Sequence, residues 1–109
     1  TPAWAENHGL IMWIGDYGNP RSNLPGIDLD AANARKIAGL MGVPDGNITE
    51  LANANLTKAN MANALVTLNQ RIKDGDKVFI YYSGHGGQLP GRGTQARCTE
   101  ALVARDGVF

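Results

Sequence analysis

The sequence predicts an α/β fold in which helices flank a mostly parallel sheet. Three features predict it: short unbroken apolar runs that are typical of strands buried on both faces, helical periodicity between those runs, and glycine-rich turns that separate them. The order strand, helix, strand, helix, strand is typical of right-handed crossovers. Because three or four strands make a small sheet for such apolar runs, we interpret residues 8–109 as the amino-terminal part of a larger domain, after a lead-in segment at residues 1–7.

The first strand and the first helix lie between turn-forming residues. Residues 9–15 form an unbroken apolar block that predicts a buried strand, and residues 16–25 are rich in Gly, Asn and Pro, which indicates turns. A helix of about four turns follows and is predicted to end at Gly42 and Pro44. The apolar residues predicted on its buried side are Leu29, Ala32, Ile37, Leu40 and Met41.

The second helix has the clearest periodicity in the chain. Residues 47–52 predict a short strand before it, and Asn55 or Thr57 can cap its amino terminus. The helix is predicted to end at residues 74–76, where the sequence is Asp-Gly-Asp. Apolar residues at helical spacing predict its buried side: Met61, Ala64, Leu65, Leu68 and Ile72.

The remaining residues predict a further strand, a loop and an extended segment. Residues 78–82 (Val-Phe-Ile-Tyr-Tyr) have the composition of a buried strand. Residues 83–93 are predicted to form a loop because they are rich in glycine. Residues 100–104 predict a short extended segment, a candidate for the fourth strand, that ends in a turn at Asp106 and Gly107.

The composition excludes several classes of protein. Ten basic and ten acidic residues leave no formal net charge, so the chain lacks the positive field that attracts nucleic acid or an anionic membrane. No apolar run approaches the roughly 20 residues that span a bilayer. We therefore expect no nucleic-acid partner and no membrane span. The single cysteine, Cys98, cannot form an internal disulfide, and His8 is predicted to lie on the surface.

The lead-in segment bears on localisation. Ala3-Trp4-Ala5 has the small-x-small form of a signal-peptidase site, which indicates a periplasmic or secreted protein. The alternative is an irregular lead-in to a cytoplasmic protein. Seven residues leave both interpretations open.

The segment with the strongest chemical signal follows the strand at residues 78–82. It reads Ser-Gly-His-Gly-Gly-Gln and places His85 between glycines at the carboxyl end of a buried strand, where open α/β sheets bind their ligands. Histidine changes protonation near neutral pH, which suits a general base, and flanking glycines leave backbone N–H groups free to face an oxyanion. His85 is therefore predicted to be catalytic rather than structural.

This segment resembles the catalytic-histidine block of the caspase-like cysteine peptidases, and the metacaspases with their bacterial relatives are the most similar group. Residues 81–88 carry that block. Residues 10–17 resemble the family's first strand with its Ile-Gly ending and nearby tyrosine, and residues 24–31 resemble the entry into its first helix. Residues 100–107 resemble the segment that leads out of the histidine loop. The resemblance implies a caspase-like three-layer α/β/α domain.

The resemblance also implies a thiol peptidase with a Cys-His dyad. His85 would be the general base and acid, and Gly86 would contribute its backbone N–H to the oxyanion hole. The caspase nucleophile lies roughly 50 residues after the histidine. Cys98 follows His85 by only 13 residues and lies in a polar segment, so we interpret it as a loop thiol and expect the nucleophile on a following segment, a partner piece that associates tightly with this one. The alternative is that Cys98 itself is the nucleophile.

Specificity follows from the same resemblance. The aspartate at the start of the first helix lines the substrate pocket in metacaspase-like enzymes, and here that position is Asp30, with Ser83 as a second wall. A confined carboxylate favours a guanidinium or ammonium group, so protein or peptide substrates should be cleaved after Arg or Lys. The alternative is that Asp28 or Asp30 only stabilises the amino terminus of the helix.

The resemblance also suggests two forms of regulation, activation by calcium and self-processing. No cofactor is required by the residues present, but Glu100 and Asp106 could contribute to a calcium site, which usually takes six to eight oxygen ligands. Arg92, Arg97 and Arg105 are candidate self-processing sites of a zymogen; the alternative is that they are solvated loop residues.

Three other functions compete with the peptidase. A caspase-like pseudoenzyme would keep His85 and act as a protein-interaction scaffold. An α/β-hydrolase esterase would use residues 85–87 as an oxyanion loop, but the chain contains no Gly-x-Ser-x-Gly elbow. A phosphate-binding loop would need the lysine of a P-loop, which is missing here.

Overall fold

The computed structural model describes residues 5–89 and 99–109. Cys98, Arg92, Arg97 and most of Ala3-Trp4-Ala5 lie outside the described residues. Two helices of 14 residues each are present, α1 (Ile27–Leu40) and α2 (Lys58–Arg71). The six strands are β1 (Asn7–Trp13), β2 (Ile48–Ala52), β3 (Lys77–Ser83), β4 (Gly86–Leu89), β5 (Thr99–Ala104) and β6 (Gly107–Val108). Neither helix in this part of the chain has the length and apolarity of a transmembrane span.

The first three strands form a parallel sheet in the order β2-β1-β3. Gly9 of β1 is paired with Ile48 of β2 and with Phe79 of β3, so the strands are in a register that aligns their carboxyl ends. Each connection between parallel strands contains a helix, as a parallel crossover requires. The predicted strand and helix order is confirmed.

The two helices cover opposite faces of this sheet because successive residues of β1 point to opposite sides. Leu10, Met12 and Ile14 pack on one face with Met61 of α2. Ile11 packs on the other face with alanines of α1. The molecule therefore has helix, sheet and helix layers, which confirms the predicted α/β class with flanking helices.

The predicted buried side of α1 is wrong. Leu29 and Leu40 are 67% and 89% exposed, and Ile37 and Met41 are also exposed. The buried residues are Ala31, Ala34 and Ala38, a stripe of spacing i, i+3 and i+7. Small side chains let the helix backbone approach the sheet closely, so volume rather than hydrophobicity decides which side faces inward here. On α2 the prediction holds for Met61, which is buried, and for Ala64, Leu65 and Leu68, which pack against the same cluster. It is wrong for Ile72, which follows the last residue of the helix and is exposed.

Two of the predicted helix ends are confirmed, whereas α2 ends at Arg71, three residues before the predicted Asp-Gly-Asp turn at residues 74–76. The carboxyl end of α1 forms a Schellman motif, in which Gly42 has φ +80°, its N–H donates to Gly39 O, and the N–H of Val43 donates to Ala38 O. The amino end of α2 is capped by Thr57, whose hydroxyl accepts the N–H of Asn60 at 3.2 Å.

The segment after the histidine motif differs from its prediction. Part of the predicted loop at residues 83–93 is strand β4, which pairs antiparallel with β5. The extended segment at residues 100–104 is a strand, but it belongs to this second sheet, of order β4-β5-β6, and not to the parallel one. The second sheet docks on the first because Ala104 and Leu102 pack into the same cluster as Met12 and Met61.

The prediction for His8 is also wrong, since it is only 5% exposed. His8 lies on β1 at the amino ends of the parallel strands, and its Nε2 is 2.9 Å from the Asp76 carboxylate. That carboxylate also accepts the backbone N–H groups of Glu6 and Lys73. These N–H groups and the His8 ring lower the pKa of Asp76 to about 2.

Candidate functional site

His85 lies just beyond the carboxyl end of β3, between the two sheets. Ser83 ends β3 and Gly86 begins β4, so Gly84 and His85 form the connection. The turn-rich segment that follows β1 folds back over this connection and contacts it through Tyr17 and Ser22. The histidine therefore lies at the edge of the sheet where the motif predicted it.

The imidazole of His85 is oriented by a backbone carbonyl. Its Nε2 is 2.6 Å from Ser22 O, and its ring centroid is 4.9 Å from that of Tyr17. Because a carbonyl oxygen only accepts, Nε2 must carry the proton, and in the neutral ring Nδ1 then holds the lone pair. Within the described residues, only Nε2 of this ring is hydrogen-bonded. The arrangement makes Nδ1 the nitrogen that can take up a proton.

Both the backbone N–H and the backbone carbonyl of His85 form hydrogen bonds. Its N–H donates to Tyr17 Oη at 2.8 Å. Its carbonyl oxygen accepts the Tyr82 hydroxyl at 2.7 Å and the N–H of Val103 at 3.0 Å. Both phenol oxygens also lie 3.0 Å from Val103 O. Residues from β3, β5 and the turn segment therefore converge on one peptide unit.

The two glycines beside His85 differ in their surroundings. A Cβ on Gly84 would lie 2.6 Å from Tyr82 Oη, 2.7 Å from an Ile14 methyl and 2.9 Å from Tyr17 Oη, so no side chain fits there. Gly86 is paired with Leu102, the pair next to the hydrogen-bonded His85 and Val103. In an antiparallel ladder these pair types alternate, so the N–H of Gly86 points away from β5.

The predicted substrate-binding residues lie on different elements. Asp30 is exposed in the first turn of α1, and Ser83 is half-buried at the end of β3. Within residues 5–89 and 99–109, Asp30 forms no ion pair, and no side-chain hydrogen bond joins it to Ser83. The helix begins after Gly26, whose φ is +87°, without a side-chain cap.

The residues considered for calcium and self-processing have other contacts. Asp106 accepts the N–H of Lys58 at 2.9 Å, where it faces the amino terminus of α2. Arg105 donates from its guanidinium to Asp16 O at 3.2 Å. Among the described side chains, no group of three or more His, Cys, Asp or Glu residues could hold a metal ion.

An open depression of about 810 Å³ adjoins the histidine on the second sheet. It is lined by Gly86, Gly87, Gln88, Glu100, Ala101, Leu102 and Phe109. Its lining begins at Gly86, one residue after His85, and follows β4 and β5.

Sequence reasoning missed the groups that hold His85. Tyr17 and Tyr82 lie in motif segments, but their hydroxyls received no role, and Ser22 contributes a backbone atom that no sequence pattern marks. A signal existed for the tyrosines in their positions: Tyr17 follows the end of β1 and Tyr82 lies near the end of β3, so both lie at the edge of the sheet that carries His85.

Comparison with known proteins places residues 7–109 in one family. The family model described as the caspase domain of peptidase group C14 matches residues 7–109. The fold is similar to the crystal structure of protein GSU0716 from Geobacter sulfurreducens, with a TM-score of 0.80 and 24% sequence identity. The alignment covers 95% of this chain and 41% of that one, so the chain spans less than half of the length of the protein it matches. Comparison with curated proteins gave no match.

Proposed function

Since this chain belongs to the caspase-domain family of peptidases, we propose that the protein is a metacaspase-like cysteine endopeptidase with a Cys-His dyad. The observation that supports it most directly is the orientation of the His85 ring, with Nε2 facing Ser22 O at 2.6 Å. This hydrogen bond leaves Nδ1 as the basic atom and stabilises the imidazolium that forms when Nδ1 takes a proton.

The reaction then proceeds by acyl transfer. Nδ1 of His85 accepts the proton of a cysteine thiol, and the thiolate attacks the scissile carbonyl carbon. The oxyanion is stabilised by the N–H of Gly86, which is directed away from β5. The imidazolium donates its proton to the leaving amine as the C–N bond breaks, and water hydrolyses the thioester with His85 again acting as base.

The thiol in this proposal comes from a following segment that docks on this one. In the described residues β3 is an edge of the parallel sheet, and Ile80 on it is 52% exposed. An exposed apolar edge strand favours pairing with a further strand. A cysteine at the carboxyl end of such a strand would lie at the same edge of the sheet as His85.

The proposed specificity is for Arg or Lys before the cleaved bond. Asp30 is exposed and forms no ion pair within residues 5–89 and 99–109, so its carboxylate can meet a substrate guanidinium. Ser83 would form a second wall of the pocket, one residue before Gly84.

The test measures turnover of fluorogenic peptides that end in Arg, Lys or Asp by the complete protein. We expect cleavage after Arg and Lys. Asp30→Asn should lower kcat/KM for the Arg peptide by about 10- to 100-fold, because a charge-assisted bond becomes neutral. Asp28→Asn, in the same helical turn, is the matched control and should change little.

Other outcomes identify the alternatives. Cleavage after Asp, or equal effects of the two Asp→Asn variants, would contradict the specificity. A folded complete protein that cleaves none of the peptides would favour the scaffold role.

A further inference from the structure

We propose that Tyr17 and Tyr82 are positioning residues that hold the peptide unit of His85 from both sides and thereby orient its imidazole. We call this pair the tyrosine clamp. The inference rests on the proposed peptidase function for its kinetic consequence, but the orientation itself can be measured without it.

The need for the clamp follows from where His85 lies. The parallel ladder ends at Ser83, whose carbonyl accepts the N–H of Ile14 at 2.9 Å, and the antiparallel ladder begins at Gly86. His85 is between the two, and its N–H would ordinarily donate to the opposite residue, Val103. Instead, the N–H of His85 donates a hydrogen bond to Tyr17 Oη, and the Tyr17 hydroxyl donates a hydrogen bond to Val103 O. The hydroxyl thus replaces a missing ladder contact.

The donors and acceptors of the clamp match in number. Each phenol has one proton to donate. Tyr17 accepts from His85 N at 2.8 Å and donates to Val103 O at 3.0 Å. Tyr82 donates to His85 O at 2.7 Å, which is shorter than its 3.0 Å distance to Val103 O. Every donor and acceptor of the His85 peptide unit is therefore bonded.

The electrostatics keep Tyr82 a donor. Burial raises the pKa of the Tyr82 phenol above its usual range, and the neighbouring Tyr17 hydroxyl raises it further. The phenol therefore remains protonated across the working range of a peptidase. Its bond to His85 O does not depend on pH there.

The clamp also acts on the ring. Tyr17 bonds the main chain of His85 and contacts its imidazole, with the two rings inclined by 46°. With the main chain held and the Tyr17 ring packed against the imidazole, the imidazole is directed so that Nε2 meets Ser22 O. Gly84 allows this, because any Cβ there would collide with both hydroxyls.

The experiment removes one hydroxyl at a time in the complete protein. Tyr17→Phe and Tyr82→Phe keep the rings, and Tyr81→Phe is the matched control because it lies on the opposite face of β3, in the α1 cluster. We expect each clamp variant to lower kcat by about 10- to 100-fold with little change in KM, since a misplaced base slows chemistry and leaves substrate binding intact. The control should retain the wild-type kcat.

A second readout does not require turnover. Long-range nitrogen–proton NMR correlations report which nitrogen of the His85 ring carries the proton. The wild type should show the Nε2–H form, and the clamp variants should show a mixture of both forms. A merely structural role for the tyrosines would lower thermal stability without changing the tautomer of the remaining folded protein.

The outcomes separate the clamp from the peptidase. An inactive wild type that shows the Nε2–H form, lost in the clamp variants, would support the clamp and contradict the peptidase. An active wild type whose Tyr17→Phe and Tyr82→Phe variants match Tyr81→Phe in kcat and in tautomer would overturn the clamp. If Tyr17→Phe does not fold, Tyr82→Phe decides the question in the same way from the carbonyl side.

Discussion

The two histidines of this chain lie at opposite ends of the parallel sheet and have different surroundings. His8, at the amino ends of the strands, is buried, and its Nε2 faces the carboxylate of Asp76. His85, beyond the carboxyl ends, is half-buried, and its Nε2 faces the neutral carbonyl of Ser22. At one end a charged partner holds the ring within the core. At the other, a neutral partner orients the ring.

This difference shows how surroundings decide the role of a histidine. The Asp76 carboxylate accepts three hydrogen bonds, so the network at the amino end is closed and ties β1 to the turn before β3. At the carboxyl end, the tyrosines bond only the main chain of His85 and leave the ring nitrogen Nδ1 available. The amino end is therefore suited to stability and the carboxyl end to proton transfer.

The largest expected effect comes from the same substitution at the two ends. His85→Gln should lower kcat/KM of the complete protein for an Arg peptide by about 10²- to 10⁴-fold, because an amide cannot act as general base. His8→Gln should leave kcat/KM within a few-fold, since its site is remote from the reaction. Peptide turnover of both folded variants checks this. Equal losses would remove the distinction between the two ends.

A smaller effect is expected from Gly84→Ala, which tests how tightly the carboxyl end is packed. The added Cβ would meet two hydroxyls and a methyl group at less than 3.0 Å, so the free energy of unfolding should fall by about 1–3 kcal/mol. Gly39→Ala is the control, because nothing lies within 4 Å of its Cβ and alanine favours a helix. Urea unfolding measures both, and a neutral Gly84→Ala would contradict the packing.

An asparagine at each end sharpens the comparison further. Asn53 Oδ1 accepts the N–H groups of Gly15 and Asp16, and its φ of 50° is unfavourable for alanine. Asn53→Ala should therefore lower the free energy of unfolding by about 2 kcal/mol. Asn7→Ala, which removes donors to Met41 O and Gly42 O, should cost about 1 kcal/mol. Asn53→Asp keeps the accepting oxygen, and a loss as large as that of Asn53→Ala would argue against this account.

The smallest effect concerns acid and the amino end. Because the folded state holds the pKa of Asp76 at about 2 against an ordinary 3.8, the unfolded chain binds more protons between these values. The stabilisation by Asp76 is complete above its ordinary pKa and is lost as the pH falls towards 2. Asp76→Asn should flatten the dependence of the urea midpoint on pH between 4 and 2 (about one proton at most). Asp45→Asn, outside this network, serves as control, and the same flattening there would contradict the assignment.

Local sequence features predicted the elements well because their causes are local. The unbroken apolar runs, the Thr57 cap and the glycine after α1 each act within a few residues, and the structure confirms the strands, the cap and the end of α1. The predicted burial holds for β1 but not for β3, where Ile80 is exposed in the part of the chain that the structure describes. The position of His85 at a strand end follows from the same local pattern. Substrate specificity, the source of the thiol and calcium dependence stay predictions.

The predictions that proved wrong depended on packing between distant segments. The exposed Leu40 and the buried Ala34 reflect how closely α1 approaches the sheet. Strand β4 forms because β5, which follows it along the chain, pairs with it. The burial of His8 depends on Asp76, 68 residues away.

What the sequence determines by itself is the order of strands and helices, the end of α1, the cap of α2 and the place of the histidine motif, since periodicity, capping and glycine conformations operate within a few residues. Only the tertiary structure decides which helix face is buried and what His85 contacts. Tyr17 and Ser22 are 68 and 63 residues from His85. Hydrogen bonds at such separations form only when the sheets, the turn segment and the volumes of the packed side chains have brought those atoms together.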